Sequence, residues 1–154
     1  MAAWMESVGI SMKISAKAEY ACVSLVELAN RYSRNVPVSL KGIAEQFGLS
    51  PAFLTQIFMQ LKSAGIVVSA RGSAGGYQLA RRPEEISLAD VLESVDGPTP
   101  TGSALSDAQN QPAVATLQRV WQKVDEAQYQ ILSNISLADL LRQAHEAGAV
   151  FYQI

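Results

Sequence analysis

Apolar residues recur in steps of three and four near the start of the chain, and this spacing predicts a helix from about Ala16 to Tyr32. Ser15 is a suitable N-cap for that helix. Its predicted buried stripe consists of Ala18, Cys22, Leu25 and Ala29. On such a stripe Cys22 is most simply a small buried hydrophobic residue, with a redox role as the alternative.

Two shorter helices are predicted next, separated by only a few residues. Ser39 precedes a helix over about 40–47, and Gly48 can take the left-handed conformation that ends it. Ser50 and the proline after it open a second helix over about 51–64, because a proline at the first helical position loses no needed hydrogen bond. The apolar stripe of this second helix comprises Leu54, Ile57, Phe58 and Leu61. Two helices joined by so short a turn predict a helix-turn-helix.

A β-hairpin is predicted directly after the second of these helices. Segment 66–70 is rich in β-branched residues, a glycine-rich turn spans 71–76, and 77–79 forms the second short strand. The three glycines of the turn allow it to be tight and to lie close to a neighbouring segment. A hairpin in this position is the wing of a winged helix.

The second half of the chain contains two Ser-Leu-Ala-Asp segments, each of which fits a capping box with Asp in place of the usual Glu. The first, at 87–90, predicts a helix to about residue 95. The second, at 136–139, predicts a last helix to about residue 147. Between them a loop over 96–112 leads to a long helix over about 114–134. The apolar tail, 149–154, is expected to dock on the protein.

The long helix carries apolar residues in alternating steps of three and four, which is typical of a coiled-coil seam. The seam positions are Val114, Leu117, Trp121, Val124, Gln128, Ile131 and Ile135. Gln128 is the polar member, and one polar residue in a seam can fix its register. We interpret the seam as a dimer contact; the alternative is a helix buried against its own domain.

These elements predict a mainly α fold with a small β-hairpin: a winged helix-turn-helix plus a long C-terminal dimerisation helix. The predicted boundaries are an N-terminal extension at 1–11, the winged domain at 12–96, a linker at 97–112, and dimerisation helices with a tail at 113–154. The extension precedes a second methionine, Met12, and is equally compatible with a vector remnant or an upstream start codon.

The amino-acid composition limits where the protein can work and which kinds of site it can contain. No apolar run approaches the ~20 residues that span a bilayer, and residues 1–11 lack Lys, Arg and a sustained apolar stretch, so we expect a cytoplasmic protein without a membrane partner. One cysteine, Cys22, and one histidine, His145, predict neither a metal site nor a disulfide framework. No acid–base or nucleophile constellation stands out, so we expect no enzyme and no cofactor.

The formal net charge of −2 hides a strong asymmetry. Residues 12–82 contain nine basic and three acidic side chains, a balance of +6, whereas residues 83–154 carry −7. A basic half joined to an acidic half is expected when only one part of a protein meets phosphate.

The predicted recognition helix offers short polar groups beside its apolar stripe, as contact with base edges in a major groove requires. These are Ser50, Thr55, Gln56 and Gln60. Lys41 and Lys62 are predicted phosphate contacts, which position a protein without reading sequence. On the wing, Arg71 with Gly72 beside it is suited to a narrow minor groove.

Segments 38–44, 50–54 and above all 65–79 resemble the Rrf2 family of winged-helix transcription regulators. The Arg-Gly-x-x-Gly-Gly-Tyr pattern of the wing is the most specific part, and the resemblance covers about 12–97 together with 136–141. It implies a homodimer crossed through the long helix and bound to a partly palindromic operator, most simply as a repressor. It also implies DNA contacts at Ser50, Pro51, Thr55, Gln56 and Arg71. Phe53 departs from a tyrosine common in the family, so a hydroxyl contact to phosphate is lost there.

The resemblance breaks at the loop before the long helix. Many family members hold an iron–sulfur cluster there through three cysteines, but residues 97–111 contain neither cysteine nor histidine. Three interpretations of this loop stay open: a plain linker, part of a pocket for a small-molecule effector, or a contact for a protein effector. The alternative function for the whole chain is a winged-helix module that docks a partner protein instead of DNA.

Overall fold

The computed structural model describes residues 13–71, 75–97 and 105–152. These residues form six α-helices and one two-stranded sheet. The elements are α1 (Ala16–Tyr32), α2 (Leu40–Phe47), α3 (Pro51–Ser63), β1 (Val67–Ala70), β2 (Gly76–Leu79), α4 (Leu88–Asp96), α5 (Pro112–Ser133) and α6 (Leu137–Tyr152). The predicted N-terminal extension, Gly72 of the wing and the end of the tail lie outside the described residues.

The predicted caps of the first three helices are confirmed. The backbone N–H of the residue three positions on donates to the hydroxyl of Ser15, Ser39 and Ser50 at 3.0, 3.0 and 3.4 Å. Gly48 ends α2 with a φ of 67°, and Gly65 turns the chain after α3 with a φ of 76°. Because both values lie in the left-handed region, glycine is the residue best suited to each position.

The wing is held from both sides. β1 and β2 pair antiparallel from Val67 opposite Leu79 to Ala70 opposite Gly76. On the other edge of β2, the Val38 N–H donates to the Tyr77 carbonyl at 2.9 Å and the Tyr77 N–H donates to the Val38 carbonyl at 2.8 Å. The wing is therefore tied to the segment between α1 and α2 as well as to α3.

One core joins the helix-turn-helix, the base of the wing and the start of the last helix. The side chains that are fully buried in it include Leu25, Ile43, Leu54, Ile57, Phe58, Leu61, Ile66, Ile86 and Leu137. Because Leu137 begins α6, and α6 packs on α1, the last helix is anchored to the winged domain. Helix α3 is thus packed against the same core as the base of the wing and the start of α6.

The two Ser-Leu-Ala-Asp segments form the predicted capping boxes and lie side by side. In each box the serine hydroxyl accepts from the aspartate N–H at 3.1 Å, and the serine N–H donates to the carboxylate at 3.0 Å. Leu88 N–H donates to the Ile135 carbonyl, and Leu137 N–H donates to the Ile86 carbonyl, both at 2.9 Å. The beginnings of α4 and α6 are therefore fastened to each other.

The C-terminal half differs from the sequence prediction in two places. Helix α6 extends to Tyr152, past the predicted end near residue 147, because its Gly148 is tolerated and no proline follows. Helix α5 ends at Ser133, so Ile135 lies beyond it, in the turn between α5 and α6, where its carbonyl accepts from the Leu88 N–H.

Candidate nucleic-acid interface

The N-terminal end of α3 is exposed and polar. Ser50 and Pro51 lie at its start, and both are exposed; the Phe53 N–H of this first turn is bonded to the Ser50 hydroxyl. The Thr55 hydroxyl donates to the Pro51 carbonyl at 2.8 Å, which leaves its lone pairs and methyl group for an outside partner. Gln56 is exposed next to it. Four of the five uncharged contacts predicted on the recognition helix therefore share one accessible surface.

Gln60 is the exception. Its side chain is half-buried, and its Oε1 is buried without a hydrogen-bond partner among the described residues. A side-chain carbonyl turned inward cannot accept from a base, so we leave Gln60 out of the proposed base contacts. Sequence spacing missed this because position 60 lies at the border of the apolar stripe.

Some basic residues of this half of the molecule pair with carboxylates, and others do not. Arg31 pairs with Glu27 at 3.2 Å and Arg82 pairs with Glu85 at 2.9 Å, so part of their charge is compensated within the protein. Lys41, in the first turn of α2, and Arg71, at the end of β1, are exposed and make none of the ion pairs found in the described part of the chain. These two cations are available to phosphate.

Lys62 was predicted to contact phosphate, and in the structure its ammonium group has a hydrogen-bond partner within the protein. Its ammonium group donates to the Ser69 hydroxyl at 3.0 Å, so it bridges the end of α3 and strand β1. Both side chains are exposed.

Sequence reasoning also missed Asn35. It takes a φ of 55°, and its Oδ1 accepts from Gln78 Nε2 at 3.0 Å. Asparagine is one of the few residues with a side chain that tolerates this left-handed conformation. The Arg-Asn-Val-Pro segment indicates a turn at Asn35, but nothing in the sequence indicates that its partner is Gln78 in β2, 43 residues away.

A second candidate surface is an apolar groove between α1, the end of α2, α4, α5 and α6. It has a volume of about 810 Å³, and its lining includes Val23, Val26, Phe47, Leu49, Leu92 and Leu132. Cys22 forms part of its wall and is half-buried, in place of the full burial expected. Burial, assisted by the charges of Asp96 and Glu19, raises the pKa of this thiol to about 11, so it is protonated at neutral pH.

The seam of α5 stands largely open beside this groove. No residue of α5 is fully buried, and Trp121 and Ile131 are 55% and 62% exposed. Leu117 and Val124 are also exposed, whereas Val114 and Gln128 are half-buried. The apolar stripe of this 22-residue helix is therefore not covered by any of the residues that the structure describes.

Among the described residues, no helix is long and apolar enough to cross a membrane.

Comparison with known proteins gives consistent matches. Residues 14–143 match the model of the Rrf2 family, described as an iron-dependent transcriptional regulator. The regulator CymR of Bacillus subtilis is 36% identical over 129 residues, covering 84% of this chain and 89% of CymR. The regulator IscR of Cereibacter sphaeroides is 34% identical over 136 residues, covering 85% of this chain and 88% of IscR.

Solved structures agree with these relatives. The structure of CymR, the global cysteine regulator of B. subtilis, matches with a TM-score of 0.74 and 33% identity, over 86% of this chain and 98% of that one. The structure of IscR from T. potens matches with a TM-score of 0.70 and 36% identity, over 89% and 91% of the two chains.

Proposed function

The chain belongs to the Rrf2 family of transcriptional regulators, and we propose that it acts as a homodimer that binds a partly palindromic operator and represses the adjacent genes. A protein with this role works in the cytoplasm, beside the chromosome. The winged helix-turn-helix is the part that we expect to meet DNA.

The exposed polar end of α3 is the observation that carries this proposal. The side chains of Ser50, Thr55 and Gln56 are exposed there, and such short polar groups are suited to phosphate and base edges in a major groove. Gln56 fits adenine, to which glutamine can form two hydrogen bonds. Lys41 supplies a phosphate contact and Arg71 a minor-groove contact.

The exposed α5 seam and the neighbouring apolar groove support the dimer. Both surfaces are apolar, and both would be costly to leave in water. A two-fold axis through the paired α5 helices buries the same patch from each copy, which is the usual arrangement of a homodimer. Two winged domains related by such an axis match the symmetry of a partly palindromic operator.

The residues present do not fit the iron–sulfur cluster that the resemblance to cluster-holding family members implies. The sequence contains one cysteine and one histidine. Cys22 is a protonated thiol on the groove wall, and His145 Nε2 in α6 lies 3.2 Å from Asn30 Oδ1 in α1. The described residues contain no group of three or more His, Cys, Asp or Glu side chains arranged for a metal. We therefore propose no cluster chemistry.

Selection of fragmented genomic DNA by the purified protein at physiological salt tests the proposal. We expect the recovered fragments to share a partly palindromic sequence. Binding of that sequence, followed by fluorescence anisotropy, should weaken at least tenfold in Gln56→Ala, about the discrimination of one bidentate base contact. The matched control is Gln118→Ala on α5, which should bind as the wild type does. Absence of any enriched sequence would favour a protein-docking module instead.

A further inference from the structure

The hydrogen bond between Lys62 and Ser69 links the two parts of the molecule that are proposed to touch DNA. Lys62 is in the last turn of the recognition helix α3, and Ser69 is in the wing strand β1. The chain between them reverses at Gly65, where the φ of 76° allows a sharp turn. The 3.0 Å bond from the ammonium to the hydroxyl thus closes this turn with side chains.

The position of Ser69 gives the bond its significance. Arg71 directly follows β1, two residues after Ser69, so the bond acts on the part of the wing that leads into Arg71. The base of the wing is fixed by backbone bonds, from Ile66 N–H to the Leu61 carbonyl at 3.0 Å and from Ala80 N–H to the Ile66 carbonyl at 2.9 Å. The bond from Lys62 acts farther along β1, close to the proposed minor-groove contact.

We propose that Lys62 is a positioning residue, which sets the angle between the recognition helix and the wing so that α3 and Arg71 engage DNA together. This inference rests on the proposed function. It replaces the direct phosphate contact that the sequence suggested for Lys62. Its effect is transmitted through Ser69 to the wing, and it requires the hydroxyl of Ser69 as much as the ammonium of Lys62.

Both side chains are exposed, so the bond contributes little to folding and variants at either position are expected to fold. The bond contributes mainly to DNA binding. Without it the wing samples more orientations, and ordering the wing on DNA then costs conformational entropy that weakens binding. We expect the loss of one such constraint to weaken operator binding about fivefold.

The test is a set of variants measured by anisotropy on the selected operator over a range of salt concentrations. Ser69→Ala keeps every charge, and Lys62→Met keeps the aliphatic stem. We expect each to weaken binding by about the same factor of five, and the double variant to be no weaker than either one. Ser69→Thr, which retains a hydroxyl, should bind like the wild type. Lys123→Met on α5 controls for the loss of one positive charge.

The Arg71→Ala background separates positioning from direct contact. If Lys62 acts through the wing, Lys62→Met has no further effect once Arg71 is gone. The positioning role of Lys62 is overturned if Ser69→Ala binds the operator like the wild type. It is also overturned if Lys62→Met acts as the loss of a phosphate contact does: it then weakens binding to every DNA sequence alike, lowers the dependence of log affinity on log salt concentration by about one, and adds fully to the effect of Arg71→Ala. In all of these cases the wild type still binds its operator. Failure of the wild type itself to bind any DNA would contradict the proposed function, which is a separate result.

Discussion

Replacement of Gly76 by alanine is the substitution whose consequence the structure defines best. A Cβ added at Gly76 would lie 2.4 Å from the Val38 carbonyl oxygen and 2.6 Å from its carbonyl carbon. Both are backbone atoms, so no side chain can rotate to make room. The strand β2 and the segment around Val38 must separate, by about 1 Å if an ordinary van der Waals contact is to be restored.

The size of the destabilisation follows from the hydrogen bonds that this separation breaks. Val38 and Tyr77 exchange two backbone hydrogen bonds of 2.9 and 2.8 Å, and Val38 is only 7% exposed. Losing a hydrogen bond costs about 1 kcal/mol, and more when the groups stay buried without partners. Overpacking adds about 1 kcal/mol or more. We therefore expect Gly76→Ala to lower the free energy of unfolding by about 2–4 kcal/mol.

Urea unfolding followed by circular dichroism at 222 nm, at one fixed protein concentration, measures this change. The matched control is Gly148→Ala in α6, where an added Cβ meets nothing within 4 Å and alanine favours the helix. The control should be as stable as the wild type or more so. If Gly76→Ala unfolds at the wild-type urea concentration, the close approach of the wing to Val38 is not present in solution.

Two further predictions concern the groove and the seam. Because the pKa of Cys22 is raised to about 11 by burial and by Asp96 and Glu19, alkylation by iodoacetamide at pH 8 should be about 100-fold slower in the folded than in the unfolded protein. Equal labelling rates in the two states would contradict the burial of this thiol. As the pH rises, the unfolded state loses the Cys22 proton before the folded state does, so the free energy of unfolding should fall between about pH 9 and pH 11. Trp121→Glu places a charge in the seam and should give a monomer by analytical ultracentrifugation. Gln122→Glu, its neighbour in sequence, is the control and should remain a dimer. A Trp121→Glu protein that is still dimeric would show that the two copies do not meet at the seam.

Local chemistry explains why much of the fold could be predicted from the sequence. Ser50 before a proline, Gly48 after an apolar helix and the two Ser-Leu-Ala-Asp boxes each act within one helical turn, so their residue types alone determine the outcome. The helix ends that they predict agree closely with those in the structure. The helix-turn-helix and the hairpin follow from these boundaries.

The contacts that shape the candidate site could not be predicted in this way, because they join residues distant in sequence. The pairing of Val38 with Tyr77 and the bond from Gln78 to Asn35 both cross about 40 positions. The inward orientation of Gln60 depends on where α3 rests on its neighbours. Sequence spacing identified the surface of the recognition helix, whereas the tertiary packing decides which of its side chains are offered to DNA.

Hydroxyl-radical footprinting of the selected operator tests most directly whether two winged domains bind DNA with α3 in the major groove and the wing in the minor groove. The wild type should protect two half-sites related by a two-fold axis, each flanked by a protected minor-groove segment. Arg71→Ala should lose the flanking protection and keep the central pattern. A single unsymmetrical footprint, or one that Arg71→Ala leaves unchanged, would contradict the account.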